Sequence, residues 1–170
     1  MRGVAHCCIL GIVSFLLGCG FHLRGKSENY RFPFLSAHLD CDKVLICSGL
    51  QSTIKHEALT ELKAAHESAE VTIVVNNEQT SRDALNYNSV GQIASYILTY
   101  QISLRLFDAH GQQLGQDIVV KNQMTINYNN SLILSAEQQE ANTWEQIHQN
   151  VINIVIRRLV YFPLKQMSVP

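Results

Sequence analysis

The chain has 170 residues with 13 basic and 14 acidic side chains, a formal net charge of −1, and only 16% charged residues. That balance excludes a general nucleic-acid binder, which needs a basic surface to meet phosphate. It leaves a surface rich in Asn, Gln, Ser and Thr, which suits a lasting protein partner at least as well as bulk water.

The first feature in chain order is an export signal. Arg2 joins the terminal amine as its basic start, and residues 7–17 carry no charge. A run that short does not span a bilayer, which takes about 20 apolar residues, but it suits the apolar centre of a secretion signal. It closes on Leu16-Leu17-Gly18-Cys19. This is a lipobox pattern: a branched apolar residue, a spacer, a small residue, then cysteine. The small Gly18 admits a peptidase, and the Cys19 thiol takes a diacylglycerol. An N-acyl chain follows on the freed amine. Each buried CH₂ contributes about 0.8 kcal/mol, so several chains anchor firmly where one is marginal. We expect residues 1–18 to be a cleaved signal peptide, residues 19–42 a lipid-anchored segment, and residues 43–165 a single α/β domain. Gly20, rather than Asp, follows the cysteine. Among Gram-negative lipoproteins this favours the periplasmic face of the outer membrane.

Of five cysteines, Cys7 and Cys8 leave with the signal and Cys19 is acylated, so Cys41 and Cys47 remain. On one extended strand they would lie about 20 Å apart, far beyond the roughly 7 Å that a disulfide allows between Cα atoms. A bridge needs Asp40-Cys41-Asp42 to fold back. Unpaired or buried thiols are therefore favoured over a bridge, even in an oxidising compartment.

Residues 20–42 show no period and read as irregular. The β-branched run Lys43-Val44-Leu45-Ile46-Cys47 reads as a first strand, bounded by Asp42 and Ser48-Gly49. Ile54, Ala58, Leu62 and Ala65 recur at helical spacing and predict a helix over about residues 51–67. Residues 71–75, Val-Thr-Ile-Val-Val, form the second strand, joined to the first by a right-handed crossover. Residues 96–107 alternate cleanly and give the third strand. The apolar set is Tyr96, Leu98, Tyr100, Ile102, Leu104 and Leu106. Asp108-Ala109-His110-Gly111 is a turn, and residues 118–128 form a fourth strand that pairs with the third. The 17 residues from 76 to 92 make an improbable loop. Long strands meeting at a tight turn near Asn88-Ser89-Val90-Gly91 explain them better, and such a hairpin would project beyond the sheet.

A second helix starts at Ser135, which forms a capping-box pattern with Gln138. Its apolar stripe is Trp144, Ile147, Val151, Ile154, Val155 and Leu159, and Pro163 ends it. The expected fold is α/β (α+β) in two layers: a four-stranded mixed sheet with two helices on one face, in the order β-α-β-β-β-α. The opposite face, with Thr99, Gln101, Arg105, Lys121, Gln123 and Thr125, has no helix of this chain to cover it.

No nucleophile elbow, phosphate loop or zinc-protease motif occurs. His38, Cys41, Cys47 and His56 match no zinc-module spacing, so neither metal nor enzymatic activity is expected.

The segment Gly18-Cys19-Gly20-Phe21-His22-Leu23-Arg24-Gly25 resembles the start of the mature lipoproteins of the LptE family. Gly91-Gln92 followed by Tyr96 and Leu98 extends the resemblance, as does the C-terminal helix ending in Arg157-Arg158-Leu159. The resemblance implies two helices on a four-stranded sheet. It also implies a place as a plug inside the β-barrel subunit LptD, where the pair inserts lipopolysaccharide into the outer leaflet. Relatives carry basic residues near the hairpin turn and just before the second helix; here those places hold Ser89-Val90 and Leu134-Ser135. The nearest candidates for lipopolysaccharide contact are Arg82, Arg105 and Lys121. Ser89, Val90 and Gly91 are the candidates for barrel contact. A different class, an outer-membrane lipoprotein that activates a cell-wall synthase, would need a long linker after the cysteine. Only about 24 residues separate Cys19 from Lys43.

Overall fold

The structure, a computed structural model, describes residues 30–41, 44–127 and 133–164. Five strands form one sheet: β1 (Ser36–Asp40), β2 (Glu61–Lys63), β3 (Val71–Tyr87), β4 (Ile93–Asp108) and β5 (Ile118–Asn127). Among the described residues two α-helices, α1 (Cys47–His56) and α2 (Ile133–Val160), and a 3-10 turn at His66–Ser68 accompany the sheet. The spatial order is β2-β1-β3-β4-β5. β1 runs parallel to both neighbours, while β3, β4 and β5 are antiparallel. The expected four-stranded sheet is therefore corrected to five strands, and the chain order to β-α-β-β-β-β-α.

Both corrections arise between residues 36 and 63. β1 lies in the stretch expected to be irregular, because only Ala37 among its five residues is buried and its polar neighbours hide the pattern. The run at residues 43–47 is not a strand. The Cys41–Cys47 disulfide sets the two Cα atoms 5.9 Å apart, and the chain turns within it. Val44 N–H donates to Cys41 O at 3.4 Å and Cys47 N–H to Val44 O at 3.1 Å. Val44 and Ile46 are buried while Leu45 is exposed. The fold-back demanded for a bridge thus exists, and the preference for unpaired thiols is overturned. A loop this short carries about 2 kcal/mol in the chain-entropy account. Reduction, or Cys41→Ser with Cys47→Ser, is expected to lower the unfolding free energy by about that amount. Urea titration with and without reductant measures it, and equal midpoints would contradict it.

α1 ends at His56, not near residue 67. Ala58 takes φ +49°, the left-handed conformation that stops helices. Leu59 N–H then donates to Ile54 O at 3.1 Å and Ala58 N–H to Lys55 O at 3.2 Å. This is a Schellman closure, with Leu59 and Ile54 both buried beneath it. Glycine is the usual residue at such a position, so alanine concealed the stop. Ala58→Gly is expected to stabilise the fold by about 1 kcal/mol, because the strain that a Cβ adds there disappears. A lower thermal midpoint in that variant would contradict this reading. The released chain then forms β2, which pairs Leu62 with Ala37 of β1.

The core lies between the helices and one face of the sheet. Ile73, Val75, Leu98, Tyr100, Ile102, Leu104, Leu106 and Val120 contribute from the strands. Leu50 and Ile54 of α1 join them, with Ile147, Val151, Ile152, Val155, Ile156 and Leu159 of α2. The α2 stripe is thus wider than the sequence suggested, and the helix begins two residues before the capping box. Helix α1 meets α2 at Gly49, where a Cβ would stand 2.7 Å from Ile152 Cδ1. At the far end of α2, Arg158 Nη1 donates to Val119 O at 2.9 Å, clasping β5.

Candidate functional surface

Strands β3 and β4 end in a hairpin that extends past both neighbours. β1 pairs with β3 only from Val71 to Val74, and β5 pairs with β4 as far as Ser95↔Asn127, whereas β3 pairs with β4 out to Tyr87↔Ile93 and the turn follows. Residues 79–92 are all exposed. The hairpin anticipated from residues 76–92 is therefore present and projects from the body. Its tip is closed by Asn88, whose Oδ1 accepts from the backbone N–H of Val90 at 3.1 Å and of Gln92 at 2.9 Å. Gly91 sits at φ +78°, where a side chain is strained. Val90 is 76% exposed and Tyr87 64%, and no charged residue occurs from 84 to 104. The tip is thus neutral and partly apolar. It is suited to burial against another molecule rather than to phosphate.

β3 carries a bulge just past the end of its pairing with β1. The register shifts between Asn76 and Gln79, and Asn77 takes φ +53°. Glu78, beside it, turns its carboxylate inward. Its Oε1 accepts from Leu45 N–H at 3.0 Å and from the hydroxyl of Tyr100. Tyr100 is fully buried, and its ring meets His148 of α2 edge-on at 4.8 Å. Burial first, and then Glu78, push the Tyr100 hydroxyl well above the ordinary tyrosine range. A raised folded value favours the neutral form. Stability from this group is therefore constant below about pH 10, where unfolded tyrosine begins to ionise, and falls above it. Tyr100→Phe is expected to flatten the loss of stability between about pH 9 and pH 11. An unchanged slope in urea titrations would contradict this.

The three basic candidates separate. Arg82 lies on the helix side of the hairpin. Its guanidinium stands 3.5 Å over the Tyr96 ring and its Nε is 3.0 Å from a Glu140 oxygen on α2. Burial opposes its charge, but Tyr96 and Glu140 outweigh burial and hold it protonated. Arg105 and Lys121 share the opposite face through their pairing with Val74 and Gln101. Arg105 stands 5.9 Å over Phe107. Lys121 borders a shallow depression of about 300 Å³ with Gln79, Ser81, Thr99, Gln101 and Gln123. Gln123 Nε2 donates to Thr99 Oγ1 across it at 2.8 Å. No helix among the described residues covers this polar face. Arg105 and Lys121 thus share a face, with Lys121 at the level of Gln101, four residues along β4 from Arg105, and Arg82 lies on the other face. Glu78 and its bond to Tyr100 were missed by sequence reasoning, which placed Tyr100 only in the apolar set of its strand, since nothing in the pattern signals a bulge at Asn77.

Among the described residues no group of His, Cys, Asp and Glu is arranged to hold a metal ion, and no helix is long and apolar enough to cross a membrane. Cys41 and Cys47 are consumed by the disulfide. Cys19 lies outside the described residues.

No curated protein matches the chain. Among solved structures it is similar to an uncharacterized lipoprotein B from Nitrosomonas europaea, with TM-score 0.70, 20% identity, and coverage of 84% of this chain and 92% of that one. It is also similar to a minor lipoprotein from Acinetobacter baumannii, with TM-score 0.63, 12% identity, and coverage of 76% and 92%. A third likeness is to the rare lipoprotein B from Shewanella oneidensis, with TM-score 0.57, 11% identity, and coverage of 74% and 90%. These likenesses establish the fold. The sequence profile described as "LptE: Lipopolysaccharide-assembly" matches residues 46–159, from the turn before α1 to the last turn of α2. The chain therefore belongs to the LptE family, the non-enzymatic, lipid-anchored lipoproteins that serve lipopolysaccharide assembly at the periplasmic side of the outer membrane.

Proposed function

We infer that this chain fills the lumen of the LptD β-barrel, aids its assembly and takes part in passing lipopolysaccharide to the outer leaflet. The observation that carries the reading is the exposed hairpin with an uncharged tip at Val90, beside a polar sheet face that no element among the described residues covers. A barrel lumen is polar, so a polar face carrying few charges fits within it. The tip residues Ser89, Val90 and Gly91 meet the barrel wall. Arg105 and Lys121 supply the cations on the open face that meet lipopolysaccharide carboxylates or phosphates. Arg82, matched by Glu140, contributes less to that contact. Residues 1–18 form the cleaved signal, and Cys19 carries the diacylglycerol and N-acyl chains that anchor residues 19–42 at the membrane.

A photo-activated crosslinker placed at Ser89, Val90 or Lys121 in cells tests this. Crosslinks from the tip to one large outer-membrane barrel, and from Lys121 to lipopolysaccharide or the barrel lumen, are expected. Crosslinks to a cell-wall synthase, or none to a barrel, would overturn the reading.

A further inference from the structure

We propose that the outer edge of β5, from Lys121 to Asn127, receives an extended strand of the barrel partner's polypeptide. The inference rests on the reading of this chain as a subunit that aids barrel assembly. An open strand edge invites pairing with other chains, and proteins ordinarily blunt it with shortness, charge, proline or a bulge. The edges of this sheet are not treated alike. β2 has three residues, and two of them, Glu61 and Lys63, form an ion pair at 2.6 Å. The edge of β3 beyond Val74 carries Glu78, Arg82 and Asp83 and is broken by register shifts at Asn76/Gln79 and Ala84/Asn86. β5 has none of these devices. Its ten residues contain no proline and one charge, Lys121. Its register with β4 is unbroken from Leu104↔Ile118 to Ser95↔Asn127.

Two hydrogen bonds show which peptide groups face outward. Leu106 O accepts from Leu114 N–H, in the turn that leads to β5, at 2.7 Å. The even-numbered residues of β4 therefore point toward β5 and bond to its even-numbered residues. Val119 O accepts from Arg158 Nη1 at 2.9 Å, so the odd-numbered residues of β5 point away from β4. Lys121, Gln123, Thr125 and Asn127 thus present their N–H and C=O groups to the outside, and no other main-chain group among the described residues bonds to them. Arg158 closes the row at Val119 and leaves the rest open.

The chemistry of the row names its occupant. Donors and acceptors that repeat every second residue match an extended main chain, which adds as a further strand. The two sides of the edge set the pattern of that strand. On the open face Lys121, Gln123 and Thr125 are exposed, while on the helix face Met124 is half-buried and Ile126 buried. A strand laid beside β5 therefore carries polar residues on one side and apolar residues on the other. That alternation is the pattern of outer-membrane barrel strands, whose own edges are open until the barrel closes.

Deuterium exchange read residue by residue tests this. It compares the mature lipidated protein alone in detergent with its barrel complex purified from the native membrane. In the free protein the Gln123 and Thr125 amides exchange rapidly at every protein concentration, while Asn122 and Met124, bonded to β4, are slow. In the complex Gln123 and Thr125 slow by about a hundredfold or more. Thr125→Pro removes an outward N–H and spares the β4 ladder. It keeps the thermal midpoint of the free protein and lowers recovery of the complex severalfold, whereas Thr125→Ala keeps the N–H and the full recovery. Rapid exchange of both amides in a stoichiometric complex, or full recovery with Thr125→Pro, overturns the edge proposal and leaves the barrel reading standing. Absence of any barrel overturns both. Slow exchange in the free protein also overturns the proposal: if it depends on concentration a second copy fills the edge, and if not, this chain's own residues do. Should Thr125→Pro not fold alone, the exchange rates of the unaltered protein decide.

Discussion

Tyr100→Ala is expected to remove about 3–5 kcal/mol of folding stability, the cost of deleting a large buried aromatic side chain. Tyr100 sits where three parts of the molecule meet. It lies at the centre of β4 on the helix face, its ring touches His148 of α2, and its hydroxyl holds Glu78 at the β3 bulge. Truncation opens a cavity beneath α2 and removes one of the two donors to Glu78. Because domains of this size are stable by only about 5–15 kcal/mol in total, the variant should be close to unfolding at growth temperature. Urea unfolding measures the loss, and a drop below about 1 kcal/mol would show that the ring is not packed as described. Tyr100→Phe keeps the ring and separates the packing contribution from that of the hydroxyl.

Cys19→Ala is expected to abolish incorporation of fatty acid into the protein and to leave residues 1–18 attached. The prediction follows from the lipobox: without the thiol no diacylglycerol is attached, the amine is not acylated, and the peptidase that cuts before a lipidated cysteine has no substrate. Metabolic labelling with a fatty acid checks the chemistry and the mass of the product checks the cleavage. A variant that still labels, or is still cut between Gly18 and residue 19, would contradict it.

The parts of this fold legible in the sequence are those where one face is buried and the other is wet. Residues 96–107 alternate because β4 packs Leu98, Tyr100, Ile102, Leu104 and Leu106 against the helices while the other face stays open. The α2 stripe and the hairpin turn at Asn88–Gly91 were legible for similar reasons: periodicity in one case, turn chemistry in the other. The segment from Ser36 to Lys63 was not. β1 is short and largely polar, and β2 has only three residues, none of them buried. A six-residue disulfide span turned an apolar run, which reads as a strand, into a turn and the start of a helix. Alanine in a left-handed conformation at residue 58 stopped that helix without the usual glycine.

Of the surface, the open polar face with Arg105 and Lys121 was visible from alternation alone. The pairing of Arg82 with Glu140 was not, because it depends on a one-residue bulge that moves the distal half of β3 across the sheet. Sequence period reports which residues share a face only while the register is unbroken. The role of Glu78 was hidden for the same reason.

The central claim, residence within a β-barrel partner at the outer membrane, is tested most directly by mild-detergent purification of the tagged protein from its native membrane, with the partner identified by mass spectrometry. The account predicts a stoichiometric complex with one large barrel of the LptD type. Recovery of the lipoprotein alone, or with a cell-wall synthase in place of a barrel, would contradict it.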